Sequence, residues 1–236
     1  MEGRNAVLGC SLSRDEFVTQ ERAMAWFERL NSLNTFYVPT LMLYGKPKTQ
    51  NRSVAAYASS PTVVFKYSGH QTTMHHNIPP VVADIWTEVA ERLGLEFNCV
   101  LINRYADGNE AIGLHRDGKE NGVIASLSLG AVRTFSMVPA TAGGKAKQWK
   151  LANGGLVVMR GATQENYKHE VPNQLDIPAA PGSGEGRDEA QGKAQKRDEE
   201  AEEKRCNRGT VALDMANSLH VRGSMLSYPM NSLDCT

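Results

Sequence analysis

The sequence predicts an α+β protein in which helices come first and a mainly antiparallel sheet with a sandwich or barrel core follows. Three observations support this prediction. Two segments in the first 95 residues repeat apolar side chains with helical spacing, and at residue 97 the repeat changes to two, which is typical of strands. Turns that contain glycine then separate several short apolar runs.

Two helices are expected before the sheet. Ser13 with Glu16 forms a capping-box pattern that predicts a helix over about residues 14–32. Its apolar face contains Phe17, Trp26, Phe27, Leu30 and Leu33. A second helix is predicted after Pro79 and Pro80, with Gly94 as its stop signal. The buried face of that helix contains Val82, Ile85, Trp86, Val89 and Leu93.

Strands are expected from residue 97 onwards. In FNCVLINRY the alternation predicts one face made of Phe97, Cys99, Leu101, Asn103 and Tyr105. The other face contains Asn98, Val100, Ile102 and Arg104. Further strands are predicted at 123–130, 134–138 and 155–159.

Composition changes abruptly after Pro181 and suggests four regions. Residues 182–205 contain no large apolar side chain, so they have nothing to bury in a core. We expect an N-terminal helical extension over 1–40, the main domain over 41–177 and a charged low-complexity segment over 178–205. Residues 206–236 form a divergent tail whose run VALDM (211–215) shows no convincing pattern.

Charge and cysteine usage restrict the setting. Lys and Arg total 26 and Asp and Glu total 26, so any contact with nucleic acid must come from a local basic patch. The four cysteines lack paired spacing, which fits a reducing compartment. No apolar run is long enough for a membrane span, and the start lacks a secretion signal. We therefore expect a soluble, intracellular monomer, in the nucleus or the cytoplasm.

The strongest chemical signal is His115-Arg116-Asp117, followed by His169. Positions i and i+2 of an extended segment face the same side, so His115 and Asp117 can bind one ion together. Two histidines and one carboxylate leave coordination positions open, which suits Fe(II) oxygenase chemistry. By spacing alone, however, a His-x-Asp pattern arises often by chance, and His70, His75 and His76 are equally available as partners.

Longer motifs resemble a known family. FNCVLINRYADGNEAIGLHRD, IASLSLGAVRTF and GGLVVMRGATQENYKHEVP occur in order, after GKPKTQNRSVAAYA and VFKYSG. Over about residues 43–173 the chain resembles the AlkB family of iron and 2-oxoglutarate dependent dioxygenases, closest to its human DNA repair branch. The resemblance implies a double-stranded β-helix (jelly-roll) core with flanking N-terminal helices. It also implies oxidative demethylation of bases such as 1-methyladenine and 3-methylcytosine in DNA or RNA.

The resemblance assigns roles to five residues of this domain. His115, Asp117 and His169 match the catalytic iron ligands. Asn103 and Tyr105 match the outer residues of an Asn-Arg-Tyr signature that contacts 2-oxoglutarate. Their position on one face of the predicted strand agrees with this assignment, although Tyr105 is equally acceptable as a core aromatic residue.

Four residues are candidates for substrate binding. Phe65, Tyr67 and Ser68 match a segment of the family's nucleotide-recognition lid, although Phe65 and Tyr67 could also simply pack. Arg133 stands in an Arg-x-Phe segment, where Thr134 replaces the aspartate of many relatives. Together with Arg104, Arg116 and Lys119, Arg133 is also a candidate phosphate contact.

The resemblance ends after Pro172. The family continues with a strand whose first arginine pairs with the far carboxylate of 2-oxoglutarate, a contact that suits the bidentate guanidinium. If GTVALDM is that strand, Thr210 and Ala216 occupy both arginine positions, and Arg208 is the nearest substitute. Residues 174–236 are then a genuine divergence or the product of a wrong gene model. Two alternatives stay open: a nucleic-acid-binding relative without catalysis, or an oxygenase that acts on a protein or a small molecule.

Overall fold

The computed structural model describes residues 12–43, 45–63, 65–67, 70–118, 121–177 and 210–218. The helices are α1 (Gln20–Asn31), α2 (Pro80–Leu93) and α3 (Thr163–Asn166). The first strands are β1 (Leu12–Glu16), β2 (Thr40–Leu43), β3 (Lys46–Thr49), β4 (Ser53–Ala58), β5 (Lys66–Tyr67), β6 (His70–Gln71) and β7 (Cys99–Tyr105). The later strands are β8 (Ile112–His115), β9 (Asn121–Gly130), β10 (Arg133–Pro139), β11 (Lys147–Leu151), β12 (Gly155–Arg160), β13 (Tyr167–Val171) and β14 (Thr210–Ser218).

Two antiparallel sheets form the body of the domain. The six-stranded major sheet has the order β1-β12-β9-β14-β7-β4, and the four-stranded minor sheet has the order β11-β10-β13-β8. A cluster of buried side chains from both sheets, including Tyr105, Ile124, Phe135, Met159 and Val171, fills the space between them. Two sheets that share one core in this way confirm the expected α+β class with a double-stranded β-helix core.

The helices cover the outer face of the major sheet. A second cluster joins Trp26, Phe27 and Leu30 of α1 and Val82, Ile85 and Val89 of α2 to Val100, Ile102, Leu127 and Val158 of the sheet. Val100 and Ile102 therefore face the helices, whereas Leu101, Asn103 and Tyr105 line the space between the sheets. The alternation predicted for β7 is thus confirmed, and it places polar side chains inside the barrel.

The start of the first helix differs from the prediction. Ser13 and Glu16 belong to β1, which pairs antiparallel with β12, and Thr19 caps α1 by accepting a hydrogen bond from the Arg22 backbone. Pairing with the edge of the sheet satisfies more backbone groups than the local capping box can. Six strands also precede α2 in the chain, so the expectation that helices come first is wrong.

The second helix follows the prediction closely. It begins at Pro80, where a missing N–H costs no hydrogen bond, and ends before Gly94 in the left-handed region at φ 61°.

Among the described residues, no helix is both long and apolar enough to cross a membrane.

The tail predicted to lack a pattern contains one central strand. The backbone of β14 pairs with β7 on one side, from Thr210 opposite Tyr105 to Ala216 opposite Cys99. On the other side it pairs with β9, where Ala212 lies opposite Ser128. The candidate strand GTVALDM thus forms part of the sheet from Thr210 onward, and the segment Thr210–Ser218 contains no arginine.

Candidate metal centre and its cavity

A cavity of about 760 Å³, including its open mouth, lies between the two sheets. Both sheets and the segments beside them contribute to its wall: Phe65, Leu101, Asn103, Tyr105, Ile112, His115, Asp117, Asn121, Ile124, Ser126, Ser128, Arg133, Phe135, Leu151, Met159, His169 and Val171. Eight of these side chains are apolar and nine carry a polar group, and the surface that they expose to the cavity is mainly apolar. This composition is typical of a site that binds a small organic molecule.

The minor sheet brings the three predicted metal ligands together. His115 ends β8 and pairs directly with His169 of β13, and Asp117 follows His115 by two residues. Their ligand atoms all lie within 4.8 Å of one another. Asp117 Oδ2 is 3.3 Å from His169 Nε2, and Asp117 Oδ1 is 3.8 Å from His115 Nε2. Of the residues that the structure describes, no other group of three or more His, Cys, Asp or Glu has this geometry.

The protonation of both histidines suits a metal ligand. His115 Nδ1 lies 2.8 Å from the backbone oxygen of Gly113, which can only accept, so Nδ1 carries the proton and Nε2 is left as the donor atom. Burial, and then the neighbouring His115, lowers the pKa of His169 to about 3. His169 is therefore neutral at physiological pH. Two imidazoles and one carboxylate match the ligand set of non-haem Fe(II) oxygenases, so these residues fit that metal.

Gln164, on the short helix α3, supports the third ligand. Its Oε1 accepts a hydrogen bond of 3.2 Å from the backbone N–H of Asp117, and its side chain is buried. Its Nε2 donates a hydrogen bond of 3.8 Å to Met159 Sδ, and the two contacts together fix the orientation of the amide group. Gln164 was not predicted from the sequence, because a glutamine 47 residues from Asp117 carries no signal of this contact.

Asn103 and Tyr105 both line the cavity, as their position on β7 predicts. Arg52, buried beside β4, donates a hydrogen bond of 2.7 Å from Nε to Asn103 Oδ1. That contact fixes the orientation of the Asn103 amide, because its oxygen accepts from Arg52. Arg52 is a second functional residue that sequence reasoning missed, because it is 51 residues from Asn103.

Arg133 lies inside the domain and not at its surface, since only 2% of the residue is exposed. Its guanidinium donates to the backbone oxygens of Asp107, Glu110 and Pro172 at 3.1, 2.8 and 2.9 Å. It also stands 5.1 Å from the ring centre of Tyr105. Burial lowers the pKa of Arg133, although nearby acidic groups oppose the shift. Arg133 is thus part of the cavity wall.

The structure describes only some of the remaining predicted residues. Phe65 is buried in the cavity wall, whereas the side chain of Tyr67, and Ser68 and Lys119 altogether, lie outside the described residues. Arg104 lies on the opposite face of β7, 4.0 Å from the ring centre of Phe36, and Arg116 is exposed.

The alternative histidines do not join the metal cluster. His75 stacks near Tyr57 at 5.7 Å, and Nδ1 of His76 contacts the backbone oxygen of Ala58 at 3.4 Å. The side chain of His70 lies outside the described residues.

Comparisons with known proteins agree with this geometry. The profile of the 2OG-Fe(II) oxygenase superfamily matches residues 12–208. The chain is 32% identical over 143 residues to the mouse (Mus musculus) DNA oxidative demethylase ALKBH2. This aligned region covers 56% of this chain and 59% of that protein. It is also 34% identical over 140 residues to the rat (Rattus norvegicus) alpha-ketoglutarate-dependent dioxygenase alkB homolog 3. That alignment covers 53% of this chain and 45% of the rat protein. The chain thus spans about half the length of the curated relatives it matches.

A solved structure shows the same fold. The structure of OsALKBH1 superposes with a TM-score of 0.53 at 16% sequence identity, covering 91% of this chain and 100% of that chain. At this level of identity the likeness concerns the arrangement of strands and helices alone. It supports the pair of antiparallel sheets on which the three ligands lie.

Proposed function

The chain belongs to the 2OG-Fe(II) oxygenase superfamily, and from this premise we propose that it removes methyl groups oxidatively from nucleobases of DNA or RNA. Membership agrees with the AlkB-like motifs of the sequence. The observation that carries the proposal is the group of His115, Asp117 and His169 at the wall of a largely apolar cavity. The relatives named as a DNA oxidative demethylase and an alkB homologue support the choice of substrate.

His115, Asp117 and His169 would hold the metal in this proposal. The chemistry that iron(II) would supply there is activation of dioxygen, coupled to oxidative decarboxylation of 2-oxoglutarate to succinate and carbon dioxide. A methyl group on a ring nitrogen would be hydroxylated and then lost as formaldehyde. The role of the three side chains is to occupy one side of the ion and leave its other positions open to ligands. The hydrogen bonds from His115 to Gly113 and from Asp117 to Gln164 hold two of the ligands in place before the ion arrives.

Asn103 and Tyr105 are proposed to bind the cosubstrate. Both line the cavity on β7, and the hydrogen bond from Arg52 holds the amide of Asn103 in the cavity wall. Tyr105 lies in the same cavity wall, and only 1% of the residue is exposed to solvent. Hydrogen bonds in such a water-poor place are stronger than the same bonds at the surface.

Phe65, Tyr67 and Ser68 are proposed to contact the methylated base. An enzyme that acts on a ring nitrogen must receive the base outside the duplex, and a flat apolar wall favours the extruded ring. Phe65 is 9% exposed and lines the cavity, as do Leu101, Ile112 and Ile124. An apolar enclosure also keeps water from the reacting groups.

The decisive experiment is mass spectrometry of a single-stranded oligonucleotide that carries 1-methyladenine. The full chain is incubated with it, Fe(II), ascorbate and 2-oxoglutarate, and matched reactions use a 3-methylcytosine oligonucleotide and the RNA equivalents. We expect loss of one methyl mass with the wild type and with His75→Ala, and none with His169→Ala. An unchanged oligonucleotide, with iron still bound to the wild type, would contradict the proposal.

A second candidate follows from the absence of arginine in Thr210–Ser218. If no other cation replaces it, the chain binds iron and nucleic acid without turning over 2-oxoglutarate. Succinate release, measured in the same reactions with and without the oligonucleotide, separates the two: the demethylase produces succinate and the binding protein does not.

A further inference from the structure

We infer that Arg133 of β10 receives the far carboxylate of 2-oxoglutarate, in place of an arginine on the central strand β14. This inference rests on the proposed function and concerns the same cavity. It changes the role expected for Arg133 from contact with the nucleic-acid substrate to recognition of the cosubstrate.

The cavity needs a cation at some distance from the metal ligands. 2-Oxoglutarate carries a second carboxylate at the end of its chain, and a carboxylate that enters a largely apolar site is unfavourable unless a donor or a cation meets it. The strand Thr210–Ser218 contains neither arginine nor lysine. Among the described residues that line the cavity, Arg133 is the one arginine or lysine.

The strand register places Arg133 on the correct face and at the far end. Met137 of β10 lies opposite His169, and Phe135, on the same face, has its ring centre 5.6 Å from that of His169. Arg133 is the next inward residue along β10, four positions from Met137, or roughly 13 Å of strand. It therefore lines the part of the cavity remote from the metal ligands, beside Tyr105.

The guanidinium is held in place but incompletely satisfied. Three backbone oxygens fix it, those of Asp107, Glu110 and Pro172, and none of them is a carboxylate. Nε is buried and has no hydrogen-bond partner among the described residues. Acidic groups nearby, among them Asp107, Glu110 and Asp176, partly offset its charge, but they leave the Nε donor unmet. A buried donor without an acceptor is unfavourable. An entering carboxylate would accept a hydrogen bond from it.

The inference can be separated from a purely structural role of Arg133 by comparing how two ligands bind to the wild type and to variants of Arg133. The full chain loaded with Mn(II), which does not support turnover, is titrated by calorimetry with 2-oxoglutarate and with 2-oxopentanoate. The second compound has the same five-carbon chain with a methyl group in place of the far carboxylate. The variants are Arg133→Gln, Arg133→Lys and the control Arg104→Gln, which changes an arginine on the opposite face of β7.

We expect the wild type and Arg104→Gln to prefer 2-oxoglutarate by roughly 10- to 150-fold, the effect of a hydrogen bond to a charged group. Arg133→Gln should bind the two compounds equally, and Arg133→Lys should keep part of the preference. If Arg133→Gln lost affinity for both compounds equally, or if its preference for 2-oxoglutarate were unchanged, the inference would be overturned. Arg133 would then serve only to connect the backbone segments that it contacts. A wild type that binds neither compound would instead contradict the proposed function itself.

Discussion

At the scale of single residues, sequence spacing is enough to predict the metal ligands. The residues that hold the site in position can be recognised only from their contacts in the folded chain. His115 and Asp117 are two residues apart, and that separation alone indicates a shared side in an extended segment. Gln164 and Arg52 act across 47 and 51 residues, so only the folded chain shows what they hold. The roles of such residues could not be predicted, because their side chains are ordinary in composition and their partners are remote.

Replacing Gln164 should weaken metal binding. Gln164→Leu keeps a similar volume but removes the acceptor for the Asp117 N–H, so we expect the affinity for Mn(II) to fall by about 10- to 100-fold. A metal titration of each full-length variant measures this. Asn166→Ala, an exposed change on the same short helix, is the control and should behave as the wild type. Equal affinities for Gln164→Leu and the wild type would show that Asp117 is positioned without this bond.

Replacing Arg52 should weaken cosubstrate binding and spare the metal. Arg52→Met removes the donor that fixes Asn103 Oδ1, and we expect the affinity for 2-oxoglutarate to fall by about 1–3 kcal/mol. The affinity for Mn(II) should stay unchanged, since the hydrogen bond that is removed goes to Asn103 and not to one of the three metal ligands. Both affinities are read from calorimetric titrations beside Arg104→Met. A parallel loss of metal and cosubstrate would mean that Arg52 supports the whole fold and not Asn103.

At the scale of elements, the loop after β7 and the segment after β13 form one unit. Gly108 accepts a hydrogen bond from Gln174 N at 2.8 Å and donates to Ile177 O at 3.1 Å. Arg133 joins the same two segments through the backbone oxygens of Asp107 and Pro172. These contacts flank the strands that carry His115 and His169, so the loops help to fix the separation of the two ligands.

Gly108 should be intolerant of any side chain. A Cβ at this position would lie 1.6 Å from the backbone oxygen of Gln174, which cannot be accommodated without moving one of the two segments. We expect Gly108→Ala to lower the free energy of unfolding by about 1–3 kcal/mol in urea denaturation. Gly122→Ala, where a Cβ meets nothing within 4 Å, serves as the matched control. Equal midpoints for the two variants would show that the loops separate at little cost.

At the scale of the whole molecule, the sequence predicts the two-sheet core, the second helix and β7. It does not predict β1 as a strand, because its partner β12 lies about 140 residues away and the local capping signal favours a helix. It also shows no clear pattern for β14, because the strands that fix it, β9 and β7, lie about 80 to 117 residues earlier in the chain. Long-range pairing is thus the part of the fold that the residues themselves do not reveal.

Removing β14 should destabilise the entire domain. A chain that ends at residue 209 loses the strand that pairs with both β7 and β9, and a chain that ends at Ser218 keeps it. We expect the shorter chain to lose its cooperative thermal transition and to associate through the exposed strand edges, as measured by calorimetry and size-exclusion chromatography. Two chains with the same transition would show that β7 and β9 can pair without this strand.

The place of β14 in the sheet also sets an order of events during synthesis. Thr210 pairs with Tyr105, so 105 residues must be added to the nascent chain after Tyr105 before that pair can form. At typical rates of translation this takes roughly 5 to 20 s, much longer than a hairpin needs to form. The central strand β14 is therefore synthesised last among the described strands. Until then the major sheet is incomplete between β7 and β9. Factors that shield nascent chains would act on this protein within that interval.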